Sequence, residues 1–372
     1  MKKKTIVFIC EALGGGVRKH LLDLLENLDQ SKFNITVIHG TKRMDTVFTN
    51  RIINMDNIKF YPIESMEREI NPIKDLVSFI RVFNLLKLIK PDIVHCHSTK
   101  AGVLGRFTAK MLKVKCIVYT PHGYIVQNPN INKVKDLIFT NIERVLARGF
   151  TSRIIHVSKG EEEFSISKNI CKRKKSKVIY NGISIIQEDE KYTAEKIFKI
   201  VSIARLDYQK NPMESIKIIE ELINEFPNIR YTYIGDGEYY NEVVNYVNNN
   251  KLSDVIKLPG FSDSPSMFLR DADLFLSSSL YEGLPYSLIE AMAFKLPIVC
   301  SKVTGHTELV VDDFNGNLYE LHNLDVAIRK IRDIINNPEK QKKMSTNSYC
   351  HYTNNFTINK MIKEHEELYL EV

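Results

Sequence analysis

Short apolar runs alternate along the chain with stretches whose apolar residues recur every three or four positions. Thr5–Cys10, Asn34–His39, Ile93–His97 and Cys116–Thr120 carry no Asp, Glu, Lys or Arg and read as strands buried on both faces of a sheet. Helical spacing falls between them, near Val17–Leu28, Ile73–Leu88 and Ala101–Leu112. A helix near Asp136–Ala147, a strand at Arg153–Val157 and a last strand at Val178–Tyr180 continue the series. Such alternation predicts a doubly wound parallel sheet.

The series restarts after Ile183–Ala194, a polar, acidic stretch that reads as a linker. Strands are expected at Lys199–Ile203, Arg230–Ile234, Ile256–Leu258, Leu274–Ser277 and Ile298–Cys300. Helices are expected near Met213–Phe226, Tyr239–Asn249, Ser266–Asp271, Tyr286–Phe294, Leu324–Asn336 and Asn359–Tyr369. The fold class is therefore α/β, with two Rossmann-like doubly wound domains, 1–184 and 185–349, facing across a cleft. A length of 372 residues, beyond what one core usually supports, agrees with this. Ligands of open parallel sheets bind beyond the carboxyl ends of the strands, so the chemistry is sought there.

Composition narrows the class. Hydrophobic residues at 44% and charged residues at 26% are ordinary for a globular protein. No apolar stretch is long enough to span a membrane, and Thr5–Cys10 before Glu11 is too short for a signal core, so a cytoplasmic location is expected. The six cysteines are scattered and read as buried free thiols. His95-Cys96-His97 is not read as a metal site, because alternating side chains point to opposite faces and no second ligand cluster accompanies it. Charge is uneven: residues 1–185 hold 32 Lys and Arg against 16 Asp and Glu, leaving 20 against 29 for the remainder. A basic first half without a nucleic-acid-binding motif favours an anionic membrane surface as partner, touched through Lys2–Lys4, Arg18, Lys19 and the run Lys172–Lys177.

Four segments carry candidate chemistry. Gly14-Gly15-Gly16 follows the first strand, and its backbone can approach a phosphate closely, although a plain strand-to-helix turn explains it equally. Pro121 and Gly123 frame His122, whose imidazole can donate to a sugar hydroxyl or carry a proton. Arg205 and Lys210 leave a strand together and can bracket a diphosphate. Glu282 precedes a helix begun by Pro285, with the amides of Gly283 and Leu284 free for phosphate oxygens and Glu290 just over a turn inside. Carboxylates of this kind accept from paired hydroxyls of hexose or ribose. Gly235-Asp236-Gly237 and Gly260-Phe261 read as turns after strands.

In combination these residues resemble the retaining glycosyltransferases of family 4, which have the two-domain glycosyltransferase-B fold. The resemblance runs through the glycine loop, Pro91–Ser98, Pro121–Gly123, Val178–Gly182, Arg205 with Lys210, Gly235–Gly237 and Glu282 to Glu290, the family's Glu-x7-Glu signature. It implies that Arg205 and Lys210 neutralise the leaving diphosphate and that Glu282 grips donor sugar hydroxyls. It further implies that Glu290 binds the ribose, that His122 faces the donor sugar, and that Gly15, Gly16, Gly235, Gly237, Gly260, Phe261, Gly283, Leu284 and Pro285 belong to the donor site. The last helix, about 350–372, is expected to pack back on the first domain. Gly305-His306 departs from the pattern, which commonly has a second glycine.

Similarity to bacterial enzymes of capsule, exopolysaccharide or lipid-linked oligosaccharide assembly lies in Val17–His20 and Ser98–Gly102. It implies a UDP-linked N-acetylhexosamine or related donor and a polyprenyl-diphosphate acceptor, with Arg18, Lys19, Lys100 and Arg106 as candidate acceptor contacts. No metal or other cofactor is expected, because fixed cations and helix-start amides can replace magnesium. The alternatives are a UDP-N-acetylglucosamine 2-epimerase on the same architecture and a non-catalytic sugar-nucleotide-binding partner of another transferase.

Overall fold

The computed structural model describes residues 3–128, 130–184 and 197–371. They form two α/β units, Met1–Asn181 with Ile358–Val372, and Gly182–Thr357.

In the first unit the elements run β1 (Lys4–Cys10), α1 (Gly15–Asn27), β2 (Phe33–Gly40), α2 (Thr46–Ile52), β3 (Lys59–Ile63), α3 (Pro72–Ile89), β4 (Ile93–His97) and α4 (Thr99–Met111). They continue with β5 (Cys116–Thr120), α5 (Lys133–Gly149), β6 (Arg153–His156), α6 (Lys159–Ser167) and β7 (Ser176–Val178). All neighbours in the sheet are parallel, in the order β3-β2-β1-β4-β5-β6-β7. The alternating pleat of β1 divides the core: Ile6, Phe8 and Cys10 face α1, while Val7 and Ile9 face α3, α4 and α5.

The second unit runs β8 (Phe198–Ile203), α7 (Pro212–Glu225), β9 (Ile229–Ile234), α8 (Tyr240–Asn249), β10 (Ile256–Gly260), α9 (Ser266–Asp271) and β11 (Leu274–Ser277). Then come α10 (Tyr286–Ala293), β12 (Ile298–Ser301), α11 (His306–Leu309), β13 (Gly316–Tyr319), α12 (Leu324–Asn336) and α13 (Pro338–Asn355). Its sheet is again parallel, in the order β10-β9-β8-β11-β12-β13. The final helix, α14 (Ile358–Leu370), belongs to the first unit, where Met361, Leu368 and Tyr369 join the core on the α1 side.

Most expected strands and helices appear within a few residues. The returning segment begins at Ile358 rather than near 350, because α13 is tied to the second unit: Ser348 Oγ donates to the Asn315 carbonyl at 2.9 Å. The ladder of the last strand in the first unit ends at Val178, and Ile179 N–H adds one further bond to the His156 carbonyl at 3.0 Å. Among the described residues six elements have no counterpart in the hydrophobic pattern: α2, β3, α6, α11, β13 and α13. In β3 only Ile63 is buried and Pro62 interrupts the run; α13 is polar nearly all round and buries only Met344, Ser348 and Tyr352. From residue 185 onward the expected linker lies outside the described residues. All six cysteines are free, and Cys350 is exposed rather than buried.

Candidate functional site

The second sheet reverses its winding between the adjacent strands β8 and β11, and the loops leaving them carry the charged residues. Beyond β8 the chain turns tightly: Asp207 Oδ1 accepts from the Lys210 amide at 3.1 Å, and Asn211 closes the turn with φ 48 before Pro212 opens α7. Ser278 ties this turn to the loop after β11, donating to the Asn211 carbonyl at 2.8 Å, while Leu280 N–H donates to the Gln209 carbonyl at 2.8 Å. That stitching brings the Lys210 ammonium to 2.5 Å from the Glu282 carboxylate. Burial opposes the charge on Glu282, but Lys210, His306 and hydrogen bonds from Lys210 and Ser279 outweigh it and hold the carboxyl below its ordinary pKa. Arg205, mostly exposed, pairs with Asp207 at 2.8 Å.

The glycines lie against the same turn. Leu206 N–H donates to the Asp236 carbonyl at 3.0 Å, and a Cβ on Gly235 would stand 1.9 Å from the Ala204 carbonyl oxygen, so only glycine fits. A Cβ on Gly237 would likewise meet the Leu206 carbonyl at 2.3 Å. Gly235 N–H donates to the Gly260 carbonyl at 2.9 Å, and Phe261 beyond it is exposed. Gly283 is partly exposed, Leu284 and Pro285 are buried, and Glu290 is half-buried in the second turn of α10. Pro285 is not the first helical residue, as expected, but the extended residue before it, at φ −72 and ψ 126. Gly305, at φ 85, would clash with the Gly283 carbonyl if it carried a Cβ, which explains a glycine there and places His306 beside Glu282.

The first sheet reverses between β1 and β4, and here imidazoles gather instead of ion pairs. His122, at φ 56 in the loop after β5, shares a hydrogen bond with His97 at the end of β4, Nε2 to Nδ1 3.0 Å. His20 from α1 lies edge-on to His122 with centroids 4.7 Å apart, and its Nδ1 meets Asn181 Oδ1 at 3.0 Å. The His95 ring lies 4.1 Å from that of His97 and bonds Tyr369 OH of α14 at 2.7 Å and Thr120 Oγ1 at 2.8 Å. His365 of α14 completes the group, 5.5 Å from His20 between centroids. Burial lowers the pKa of all five, to about 3 for His122 and about 4 for His365, with neighbouring imidazoles adding to the effect on His20, His95, His97 and His122. At neutral pH the cluster is neutral and offers hydrogen bonds rather than charge.

His20, His97 and His122 set their nitrogens within 4.8 Å of one another. The expectation that no second ligand group accompanies His95 and His97 is therefore corrected: residues two apart on β4 share a face, and His20 and His122 come to it from elsewhere in the chain. The His97–His122 hydrogen bond already occupies one nitrogen of each ring.

The candidate acceptor contacts fare differently. Arg106 is 0% exposed, bonded to Glu143 at 2.8 Å and stacked 3.7 Å above the Tyr119 ring, so it is a core residue and reaches no acceptor. Lys100 is held by Asp75 at 2.5 Å and Arg18 by Asp45 at 2.5 Å, while Lys19 is half-buried. Gly14, Gly15 and Gly16 are exposed at the start of α1. Two carboxylates that the sequence did not single out support this end of the sheet. Glu161, fully buried, accepts the Gly123 N–H at 2.5 Å and the Val157 N–H at 2.9 Å, fixing the His122 loop. Glu11, at the exit of β1, accepts from the Ser98 hydroxyl and pairs with Arg43 at 3.3 Å. A cavity of about 770 Å³ lined by Lys3, Thr5, Phe33 and Lys59 lies at the amino ends of the strands, away from these groups.

Comparison with known proteins matches residues 14–186 to the family described as Glycosyltransferase Family 4 and residues 184–351 to Glycosyl transferases group 1. The UDP-Gal:alpha-D-GlcNAc-diphosphoundecaprenol alpha-1,3-galactosyltransferase of Escherichia coli is 30% identical over 96% of this chain and 94% of its own. The capsular polysaccharide biosynthesis glycosyltransferase CapM of Staphylococcus aureus is 24% identical over 82% of this chain and 83% of its own. The crystal structure of HepE from Anabaena in complex with UDP and glucose superposes with a TM-score of 0.83 at 17% identity, over 99% of this chain and 100% of that one. The architecture is the glycosyltransferase-B fold.

Proposed function

We propose, from the premise that the chain belongs to the family 4 glycosyltransferases, that it moves a hexose or N-acetylhexosamine from a UDP-sugar onto a polyprenyl-diphosphate-linked saccharide in surface polysaccharide assembly, with retention and without a metal. The observation that carries the reading is the meeting of Lys210 with Glu282 at the switch point of the second sheet, with Arg205 on the same turn. Departure of UDP develops negative charge on its β-phosphate, and two fixed cations lower that barrier where another transferase would use magnesium. Asp207 and Glu282 hold those cations in place, and the Glu282 carboxylate has further lone pairs for donor sugar hydroxyls. Glu290 is assigned to the ribose, and the amides about Gly283 to the phosphates. His122, neutral and braced by His97, donates to the donor sugar.

The donor and acceptor classes are taken from the Escherichia coli relative named above, and its being a transferase does not favour the 2-epimerase. The test is to incubate purified chain with UDP-galactose and UDP-N-acetylglucosamine, with and without the lipid-linked saccharide, in the presence of EDTA. UDP release that requires the acceptor, and an axial anomeric configuration in the product by NMR, are expected. Donor turnover independent of acceptor, or a requirement for divalent metal, would overturn the corresponding part of the proposal.

A further inference from the structure

Helices normally bury their apolar stripe against the sheet they cover. In the first unit α3 and α5 bury one stripe and expose another. Ile73, Leu76, Val77, Ile80 and Leu88 stand outward on α3, with Ile73 77% and Leu88 75% exposed, while Ser78, Val82 and Leu86 are buried. Val134, Leu137, Ile138, Ile142 and Val145 do the same on α5, where Leu146 and Ala147 are buried. Between them α4 contributes exposed Phe107 and Met111. The three helices cover one face of the sheet and touch through aromatic pairs, Phe79 with Phe107 at 5.9 Å and Phe107 with Phe150 at 5.5 Å. A hollow of about 380 Å³ lined by Phe107, Ile142 and Val145 joins α4 to α5. A contiguous apolar surface of this extent marks an interaction site.

Charge identifies the partner. Residues 71–149 carry 13 Lys and Arg against 4 Asp and Glu. All four acids are engaged: Asp75 with Lys100, Asp92 with the Thr5 amide, Asp136 with Lys168, and Glu143 with Arg106. Arg81, Lys87, Lys110, Lys133, Lys135 and Arg148 are exposed on these helices. A second copy of the chain docked on this face would bring cations against cations. An anionic lipid surface accepts both components, the apolar side chains entering the acyl boundary and the cations meeting the headgroups.

We propose that the outer face of α3, α4 and α5 is the membrane-docking surface of this chain, and that its partner is an anionic bilayer. This rests on the reading of a lipid-linked acceptor only for its purpose, not for its geometry. Of the basic segments expected to touch lipid, Lys4 holds the Tyr369 and Leu370 carbonyls, Lys175 holds those of Ala147, Arg148 and Thr151, and Arg173 pairs with Glu162, while Lys172 and Lys174 are exposed and serve as the comparison below. Lys2 lies outside the described residues.

The experiment is co-sedimentation of the full chain with phosphatidylcholine vesicles and with vesicles containing about 30% phosphatidylglycerol, at low and high salt, alongside the thermal shift produced by UDP. Binding at least tenfold tighter to the anionic vesicles, weakened by salt, is expected. Leu137→Glu with Ile80→Glu, and separately Lys133→Glu with Lys135→Glu, are expected to lower it about tenfold or more, while Lys172→Glu with Lys174→Glu leaves it unchanged. Equal binding by the apolar-face and control variants, or no binding by the wild type, would overturn the proposal. So would light scattering that shows a dimer broken by Leu137→Glu in a chain that ignores vesicles. The UDP shift separates the two readings: its retention in variants that lose vesicles leaves the donor site intact, and its absence in the wild type counts against the transferase reading while leaving the docking result to stand alone.

Discussion

The two sheets reach the same topological point by opposite chemistry. Where the first reverses, between β1 and β4, the chain places five neutral imidazoles, four of them buried and His122 partly so. Where the second reverses, between β8 and β11, it places ion pairs, Lys210 with Glu282 and Arg205 with Asp207. A neutral cluster offers directional hydrogen bonds that suit hydroxyls and carries no positive charge to draw in a carboxylate or phosphate. A cation held in place by a carboxylate answers a charge that appears during reaction. The difference teaches that a parallel sheet supplies the position of a site, while its chemistry comes from whichever strand ends, helices and loops bring side chains to that point.

Removing the second unit's cations is expected to have the largest effect. Lys210→Ala or Arg205→Ala should lower turnover about 10²-fold or more, as for other lost charge-stabilising donors, in an acceptor-dependent UDP-release assay. Near wild-type rates in both would break the contrast. Gly235→Ala should destabilise the second unit by about 2 kcal/mol in denaturant unfolding, since the new Cβ displaces the Ala204 carbonyl and with it the turn that aims Arg205. His122→Ala should cost only about tenfold in turnover, the worth of one neutral hydrogen bond, and leave the UDP-induced thermal shift in place.

The smallest effect separates the two halves by pH. Histidines whose folded pKa lies below the unfolded value near 6.5 bind more protons when unfolded, so stability is present above that pH and falls as pH drops toward about 4 and about 3, the values for His365 and His122. Hydrogen exchange should show β4 and β5 losing protection between about pH 6.5 and 4 before β8 and β11 do. His365→Gln should flatten the slope of stability against pH by at most about 1.4 kcal/mol per pH unit. An unchanged slope would mean that His365 protonates without loss of fold.

Much of this was legible in the order of residues. Strands such as Ile93–His97 and Cys116–Thr120 are buried throughout and stand out as unbroken apolar runs, and His122, Arg205, Lys210 and Glu282 stand out because each follows a strand. What escaped depends on contacts between distant residues. His20, His97, His122 and His365 come from α1, β4, a loop and α14, and no local spacing brings them together. Arg106 looked available because its charge is visible and its partner Glu143 is not. The exposed stripe of α3 was hidden for a related reason: periodicity marks an apolar face without saying whether the sheet or something else will cover it.

The return of α14 to the first unit has a consequence for how the polypeptide is made. Phe8 packs against Tyr369, their ring centroids 6.5 Å apart, so the core around β1 stays open until residues up to Tyr369 have left the ribosome. The second unit, contiguous from Gly182 to Thr357, has all its strands in hand before then. The first unit, though begun first, is thus completed last, after the contiguous chain of the second has been made.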